Sequence, residues 1–279
     1  MNQSPPSWVG RTLNGRYTIE ARLGHGGMST VYKAQDPNLQ RTVAVKIIHP
    51  HLSEDPEFVK RFEQEAAAVA KLRHPNIMQV HDFNHDSGTY YIIFEYIAGQ
   101  PLNDKLKALN DAHIRMPLHD ALAIMIPLCE AVAYAHGRNM IHRDLKPSNV
   151  IIDLLNQPIL LDFGIAKIVG GDHVHTATGA TVGTASYMAP EQVLGNEIDR
   201  RADIYSLGII LYEMAAGEPP YKGNSPLTVM MQHVNEPLPD ITYFNANLPA
   251  NFTHILDKSL AKNPADRFWL GLRNGPGFA

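Results

Sequence analysis

The stretch His142-Arg143-Asp144-Leu145-Lys146-Pro147-Ser148-Asn149 decides how this chain is read. Asp162-Phe163-Gly164 begins thirteen residues after Asn149. Two short apolar runs lie between them, Val150-Ile151-Ile152 and Pro158-Ile159-Leu160-Leu161. The order reads as loop, strand, turn, strand, loop. So short a hairpin brings its polar ends together, so Asp144, Lys146, Asn149 and Asp162 are expected in one small volume. A carboxylate there can orient a hydroxyl, and Lys146 can meet a phosphate. Asn149 and Asp162 offer oxygens to a hard cation such as Mg²⁺.

Working outward, the first third of the chain reads as sheet. Tyr17 to Ile19, Thr30 to Ala34 and Thr42 to Ile48 are rich in β-branched residues at strand period. Asp55-Pro56 reads as an N-cap followed by proline at the first helical position. That helix is expected to reach about Arg73, where His74-Pro75 stops it. Phe58, Phe62, Val69 and Leu72 fall on one face at helical spacing, with Glu65 in their midst. A carboxylate on such a stripe needs a partner, and Lys46 at the end of Val43-Ala44-Val45-Lys46 is the obvious one. The competing reading puts Glu65 at the stripe edge, reaching water. Two further strands are expected near Met78 to Phe83 and Tyr90 to Tyr96, then a linker, Ile97 to Pro101. From Leu102 onward the chain is mostly helical, with apolar stretches at Ala121 to Ala135 and Ile204 to Ala216. A sheet-rich lobe followed by a helix-rich lobe is an α+β arrangement.

Leu23-Gly24-His25-Gly26-Gly27-Met28-Ser29 is a glycine-rich turn whose backbone N–H groups can approach phosphates closely. A dinucleotide-binding fold would need a helix after it. The next segment, Thr30 to Ala34, is strand-like.

Together these motifs resemble the eukaryotic-like (Hanks-type) serine/threonine protein kinase catalytic domain, in its bacterial subgroup. The resemblance spans about Tyr17 to Phe268, with every motif in family order. It implies a bilobal protein-kinase-like fold. Residues 1–16 read as an N-terminal extension, 17–96 as the N-lobe and 97–268 as the C-lobe, with a hinge at about 95–99. It implies a phosphotransferase that moves the γ-phosphoryl of Mg-ATP to Ser and Thr hydroxyls, Mn²⁺ being a substitute metal. Asp144 would accept the substrate hydroxyl proton and Lys146 would neutralise the transferring group. Lys46, held by Glu65, would meet the α- and β-phosphates. Asn149 and Asp162 would hold the metal, and Thr184 would bond to Asp144 and Lys146. Leu23 to Ser29 match the phosphate loop, although the family's third glycine is replaced by Ser29. Val31, Ala44 and Ile151 match the adenine sandwich, and Phe94 the guard of its rear. Glu95 and Ile97 match the hinge that bonds the base. Thr176, Thr178 and Thr181 match an activation loop open to autophosphorylation, with Arg143 as the cation a phosphate there would meet. Asp203 matches an aspartate that bonds the catalytic-loop backbone, and Arg267 should pair with Glu191.

Residues 269–279 depart from the pattern. Their glycines and proline cannot form the amphipathic helix that family members carry next, so they read as an atypical or truncated tail. An apolar groove beside Phe252 to Leu260 is the expected consequence.

Composition narrows the rest. The 279 residues are 44% hydrophobic with a formal net charge of −4. No dense Lys/Arg block marks a nucleic-acid surface. The single cysteine, Cys129, reads as packing and points to a reducing, cytoplasmic compartment. The fourteen histidines lack zinc-ligand spacing. No signal peptide and no uninterrupted run of about 18 apolar residues is present, so no membrane span is expected, and membrane attachment of a longer form is left open. Protein substrates are the implied partners, with a homodimer through the N-lobe left open. Two rivals remain: a catalytically silent scaffold on the same fold, and a small-molecule phosphotransferase, which would usually lack the Gly183-Thr184 and Ala189-Pro190-Glu191 shelf.

Overall fold

The computed structural model describes residues 7–163 and 182–269. Gly164, the loop threonines Thr176, Thr178 and Thr181, and the tail from Leu270 onward lie outside the described residues, as does the start of the N-terminal extension. The chain divides into two compact units, Met1–Arg73 with Met78–Ala98, and His74–Ile77 with Gly99–Ala279.

The first unit is built on a six-stranded sheet in the order β1-β2-β3-β4-β6-β5. Its strands are β1 (Thr12–Leu13), β2 (Tyr17–His25), β3 (Ser29–Asp36), β4 (Arg41–Ile48), β5 (Val80–Asp86) and β6 (Thr89–Glu95), every pair antiparallel. Alternation sorts the side chains of β3, β4 and β6 into two sets. Tyr32, Ala34, Val43, Val45, Ile47, Tyr91 and Ile93 join Leu13, Tyr17 and Ile19 in one buried cluster. The register Val31↔Lys46, Lys33↔Ala44, Ala44↔Phe94 and Lys46↔Ile92 puts the opposite set on the other face. A short helix, α1 (Pro50–Ser53), precedes the main one, α2 (Pro56–Val69). Asp55 caps α2 by accepting the Glu57 and Phe58 N–H groups at 2.9 and 3.3 Å, with Pro56 beginning the helix. The expected face is buried, with Phe58 4%, Phe62 1%, Val69 4% and Leu72 2% exposed. The helix ends at Val69 rather than near Arg73, and Leu72 is carried by the turn that follows.

The second unit opens with β7 (Gly99–Pro101), which pairs with β8 (Val150–Asp153), which pairs in turn with β9 (Pro158–Leu160). The expected hairpin is therefore present, and part of the expected linker is its third strand. Gly99 fits because a Cβ there would collide with the Ile152 carbonyl. Helices α3 (Leu102–Asp111) and α4 (Leu118–His136) follow. α4 is long and apolar enough to cross a membrane by length and composition alone, 19 residues at mean hydropathy 1.4. The sequence reading did not anticipate this; in the fold Ala121, Ile124, Leu128, Val132 and Ala135 are buried protein core. Cys129 belongs to the same helix, and burial pushes its thiol up to about 11, as a packing role requires.

The Arg201–Ala216 helix is buried on nearly all sides and packs against α4 and the Ala250–Ser259 helix. Gly208 permits the second contact, because a Cβ there would lie 2.7 Å from Ser259 Oγ and 2.9 Å from Leu260 Cδ2. This packing overturns the expected groove. Phe252, Leu256 and Leu260 are 4%, 0% and 4% exposed, because their apolar faces turn into the unit. Only Ile255 of that segment stands out among the exposed large apolar residues.

Candidate active site

In the second unit the site is assembled on the segment from His142 to Asn149. Asp203, in the first turn of the Arg201–Ala216 helix, anchors the segment from below. Its Oδ2 and Oδ1 accept the backbone N–H groups of His142 and Arg143, each at 2.8 Å. His136, at the end of α4, meets the same carboxylate at 2.7 Å. At 1% exposure this carboxylate requires such partners. Gln192 ties the segment from the side, donating to the Arg143 carbonyl at 2.8 Å while its Oε1 accepts the Ala189 N–H at 2.9 Å. Arg143 is held with φ at 69°, a left-handed conformation uncommon for an arginine.

The His142 imidazole joins the two polar loops. Its Nε2 lies 2.8 Å from the Leu161 carbonyl, and its Nδ1 accepts the Asp144 N–H at 3.3 Å. A carbonyl only accepts, so Nε2 carries the hydrogen. The Leu161 N–H in turn reaches the Asn149 carbonyl at 2.8 Å. Asp162, next in the chain, has φ at 52°, and the Phe163 ring packs 4.8 Å from that of His142. Asp162 is thus flanked on both sides by residues tied to the His142–Asn149 segment.

Four expected side chains converge here. Lys146 Nζ lies 2.8 Å from Asp144 Oδ2 and donates to Thr184 Oγ1 at 3.1 Å. Asn149 Nδ2 donates to the Asp144 carbonyl at 2.8 Å and to its Oδ2 at 3.2 Å. With its amide nitrogen so engaged, Asn149 is left to present Oδ1. That oxygen and the Asp162 carboxylate are hard donors of the kind a divalent cation takes. Among the described residues no group of three or more His, Cys, Asp or Glu could hold a metal by itself. Ile151 lies on β8 opposite Pro101 and Ile159.

The other expected residues belong to the first unit. Leu23, Gly24 and His25 end β2, Gly26, Gly27 and Met28 form the turn, and Ser29 starts β3. Val31, Ala44, Lys46 and Phe94 share the face opposite the main cluster, Lys46 at 8% and Phe94 at 2% exposure. Glu95 closes β6, where its Oε1 accepts the Gln79 N–H at 2.6 Å, and Ile97 follows it. Glu65 lies on α2, half-buried.

Further along the chain, Arg267 meets Glu191 through two bonds of 2.7 and 2.8 Å, the pair the resemblance implies. Nearby, Tyr187 donates to Glu213 at 2.7 Å, and burial holds both groups above their ordinary values. Three contributors were not read from sequence: His136, the His142 ring and Gln192. Only Gln192 had a signal, since a glutamine at the third helical position commonly reaches back to the cap.

Comparison with known proteins agrees with this geometry. The family model described as protein kinase domain matches residues 17–270. The chain is 41% identical over 276 residues to serine/threonine-protein kinase PknA of Mycobacterium tuberculosis, covering 97% of this chain and 61% of the relative. It is 35% identical over 260 residues to serine/threonine-protein kinase PrkC of Bacillus subtilis, covering 93% of this chain and 39% of the relative. The chain therefore spans only part of the curated relatives it matches. The crystal structure of the Mycobacterium tuberculosis PknI kinase domain superposes with TM-score 0.72 at 31% identity, covering 96% of this chain and 94% of that one.

Proposed function

The chain belongs to the protein kinase domain family, and on that premise we propose that it is a serine/threonine protein kinase, moving the γ-phosphoryl of Mg-ATP onto Ser and Thr hydroxyls of proteins. The observation that carries this reading is the contact of Lys146 with both Asp144 and Thr184. It ties the candidate base to the shelf that would receive a substrate hydroxyl.

The division of labour follows from the chemistry of each side chain. Asp144, with Lys146 and Asn149 against it, orients the attacking hydroxyl and accepts its proton. Lys146 would also neutralise the charge that builds on the transferred group. Most of the acceleration then comes from positioning and fixed charges, since the transition state is loose. The family binds ATP and a divalent metal; here Asn149 and Asp162 would hold Mg²⁺, or Mn²⁺ in its place. The bound metal supplies charge neutralisation at the phosphate oxygens. In the first unit, Leu23 to Ser29 cover the phosphates and Lys46, steadied by Glu65, meets them. Val31, Ala44 and Phe94 take the adenine, and the Glu95 and Ile97 backbone bonds it. In this reading 17–96 is the N-lobe and 97–268 the C-lobe. Autophosphorylation at Thr176, Thr178 or Thr181, read by Arg143, regulates activity. A reducing, cytoplasmic setting suits the lone thiol.

Labelled ATP, Mg²⁺ and a generic protein substrate test this directly. The wild type labels Ser and Thr, mass spectrometry finds phosphate on the loop threonines, and Asp162→Ala abolishes both. A wild type inert with either metal, or an active Asp162→Ala protein, sinks the reading.

A further inference from the structure

We propose that His49 is a positioning residue for the nucleotide, clasping the glycine-rich turn so that its backbone donors point where phosphates bind. The inference deepens the kinase reading and rests on it.

His49 directly follows β4 and grips the turn twice. Its backbone N–H donates to the Met28 carbonyl at 2.9 Å, and its ring Nδ1 lies 3.1 Å from the Gly27 carbonyl. A carbonyl only accepts, so Nδ1 carries the hydrogen. Nε2 of the neutral ring is then an acceptor, and Thr30 Oγ1 stands 3.2 Å away to fill it. Thr30 is 5% exposed, and its oxygen meets His25 Nδ1 at 2.9 Å. A single direction of donation satisfies every member. His25 donates to Thr30, Thr30 to His49, and His49 to Gly27. The Gly26 N–H closes the turn on the Ser29 carbonyl at 2.9 Å.

The peptide bond converts this grip into aim. All peptides among the described residues are trans, and a planar trans peptide carries its N–H antiparallel to its C=O. Fixing the Gly27 and Met28 carbonyls on the His49 side therefore directs the Met28 and Ser29 N–H groups away from it. Such aimed donors are what a phosphate-binding turn requires. Glycines at 26 and 27 make the turn adaptable but do not hold it. The ring's partial burial, with the His25 and His51 rings 5.2 and 5.9 Å away, favours the neutral form that the chain of donors needs. Ser29, where the family has glycine, restricts the same turn from its other end.

The test uses the intact chain and two readouts, the Kd of a fluorescent ATP analogue and steady-state kinetics in ATP. His49→Phe keeps the ring and removes the donor. His49→Asn keeps a donor at the Nδ1 position. Thr30→Val removes the hydroxyl that orients the ring and serves if His49→Phe fails to fold. Losing one neutral hydrogen bond should raise Kd and KM for ATP roughly 3- to 10-fold, with kcat within about 2-fold. His49→Asn should stay within about 2-fold of wild type, and Thr30→Val should fall between. Unchanged nucleotide affinity in His49→Phe and Thr30→Val, or losses that His49→Asn does not rescue, would overturn the proposal. A wild type that binds nucleotide without transferring phosphoryl would sink the kinase reading alone, since the affinities still judge His49.

Discussion

Replacing Arg267 by methionine should unfold the second unit far more readily than an ordinary surface change, and the coordinates give the size. The guanidinium is 0% exposed and has five N–H groups, each with an acceptor. Nε reaches the Ala261 carbonyl at 2.8 Å. Nη1 reaches Glu191 Oε1 at 2.7 Å and the Arg201 carbonyl at 3.0 Å. Nη2 reaches Glu191 Oε2 at 2.8 Å and the Lys262 carbonyl at 3.1 Å. Methionine keeps much of the volume but leaves the Glu191 carboxylate, 4% exposed, without a counter-charge. An orphaned buried charge costs about 3–5 kcal/mol, and the stranded carbonyls bring the loss to roughly 4–6 kcal/mol. Against the usual 5–15 kcal/mol of total stability that is severe, and it corresponds to a fall in Tm of roughly 10 °C. The double variant Glu191→Met with Arg267→Met removes the orphaned charge as well and should be more stable than Arg267→Met alone. Urea unfolding followed by circular dichroism measures both. A single variant within about 1 kcal/mol of wild type, or a double variant that simply sums the single losses, would refute the argument.

Three further outcomes follow from the same packing. Gly208→Ala places a methyl 2.7 Å from Ser259 Oγ and should cost about 1–3 kcal/mol, part of it recovered by Ser259→Ala; a Tm equal to wild type would show that the helices separate freely. Asp203→Asn turns an amide donor toward backbone N–H groups that now find an acceptor, so it should lower Tm and cut phosphoryl transfer at least ~10-fold, and an active, equally stable variant contradicts the anchoring role. Burial beside Lys262 pushes His233 down to about 3 while its unfolded value stays near 6.5. Only the unfolded chain then gains a proton as pH falls below 6.5, so stability is full above that value and drops by about 1.4 kcal/mol per unit toward 3. His233→Gln, which can still bond the Tyr205 hydroxyl now 2.8 Å away, should flatten that limb, and equal slopes in urea midpoints at pH 5, 6 and 7 would exclude His233 as its source.

What the sequence disclosed depended on how far apart the interacting residues stand. The hairpin linking Asn149 to Asp162 was readable because its length leaves the chain little freedom, and the pairs Val150↔Leu160 and Ile151↔Ile159 realise it. The α2 cap was readable because Asp55 acts on N–H groups two and three residues ahead. Asp203 and Arg267 were found only through resemblance. Nothing local ties Asp203 to His142 sixty-one residues earlier, or Arg267 to Glu191 seventy-six residues earlier. β7 was missed for the opposite reason. Gly99 and Pro101 argue against a strand on their own, and only the approach of Ile152, possible because Gly99 lacks a Cβ, turns them into one.

The expected groove failed by the same logic. The sequence shows that Phe252, Leu256 and Leu260 need covering, but it does not show that a glycine on a helix half a hundred residues earlier has made room for Leu260. The chemistry-bearing residues escape this limit only where they crowd into one loop. Asp144, Lys146 and Asn149 do so, and the structure joins them at 2.8 and 3.2 Å. The residues that aim such a loop, His136, Gln192 and Asp203, come from three separate helices. They must be distant, because a loop cannot brace itself against the charge it is built to carry. Local sequence therefore discloses what a site can do, while the means by which it is held still belongs to the fold.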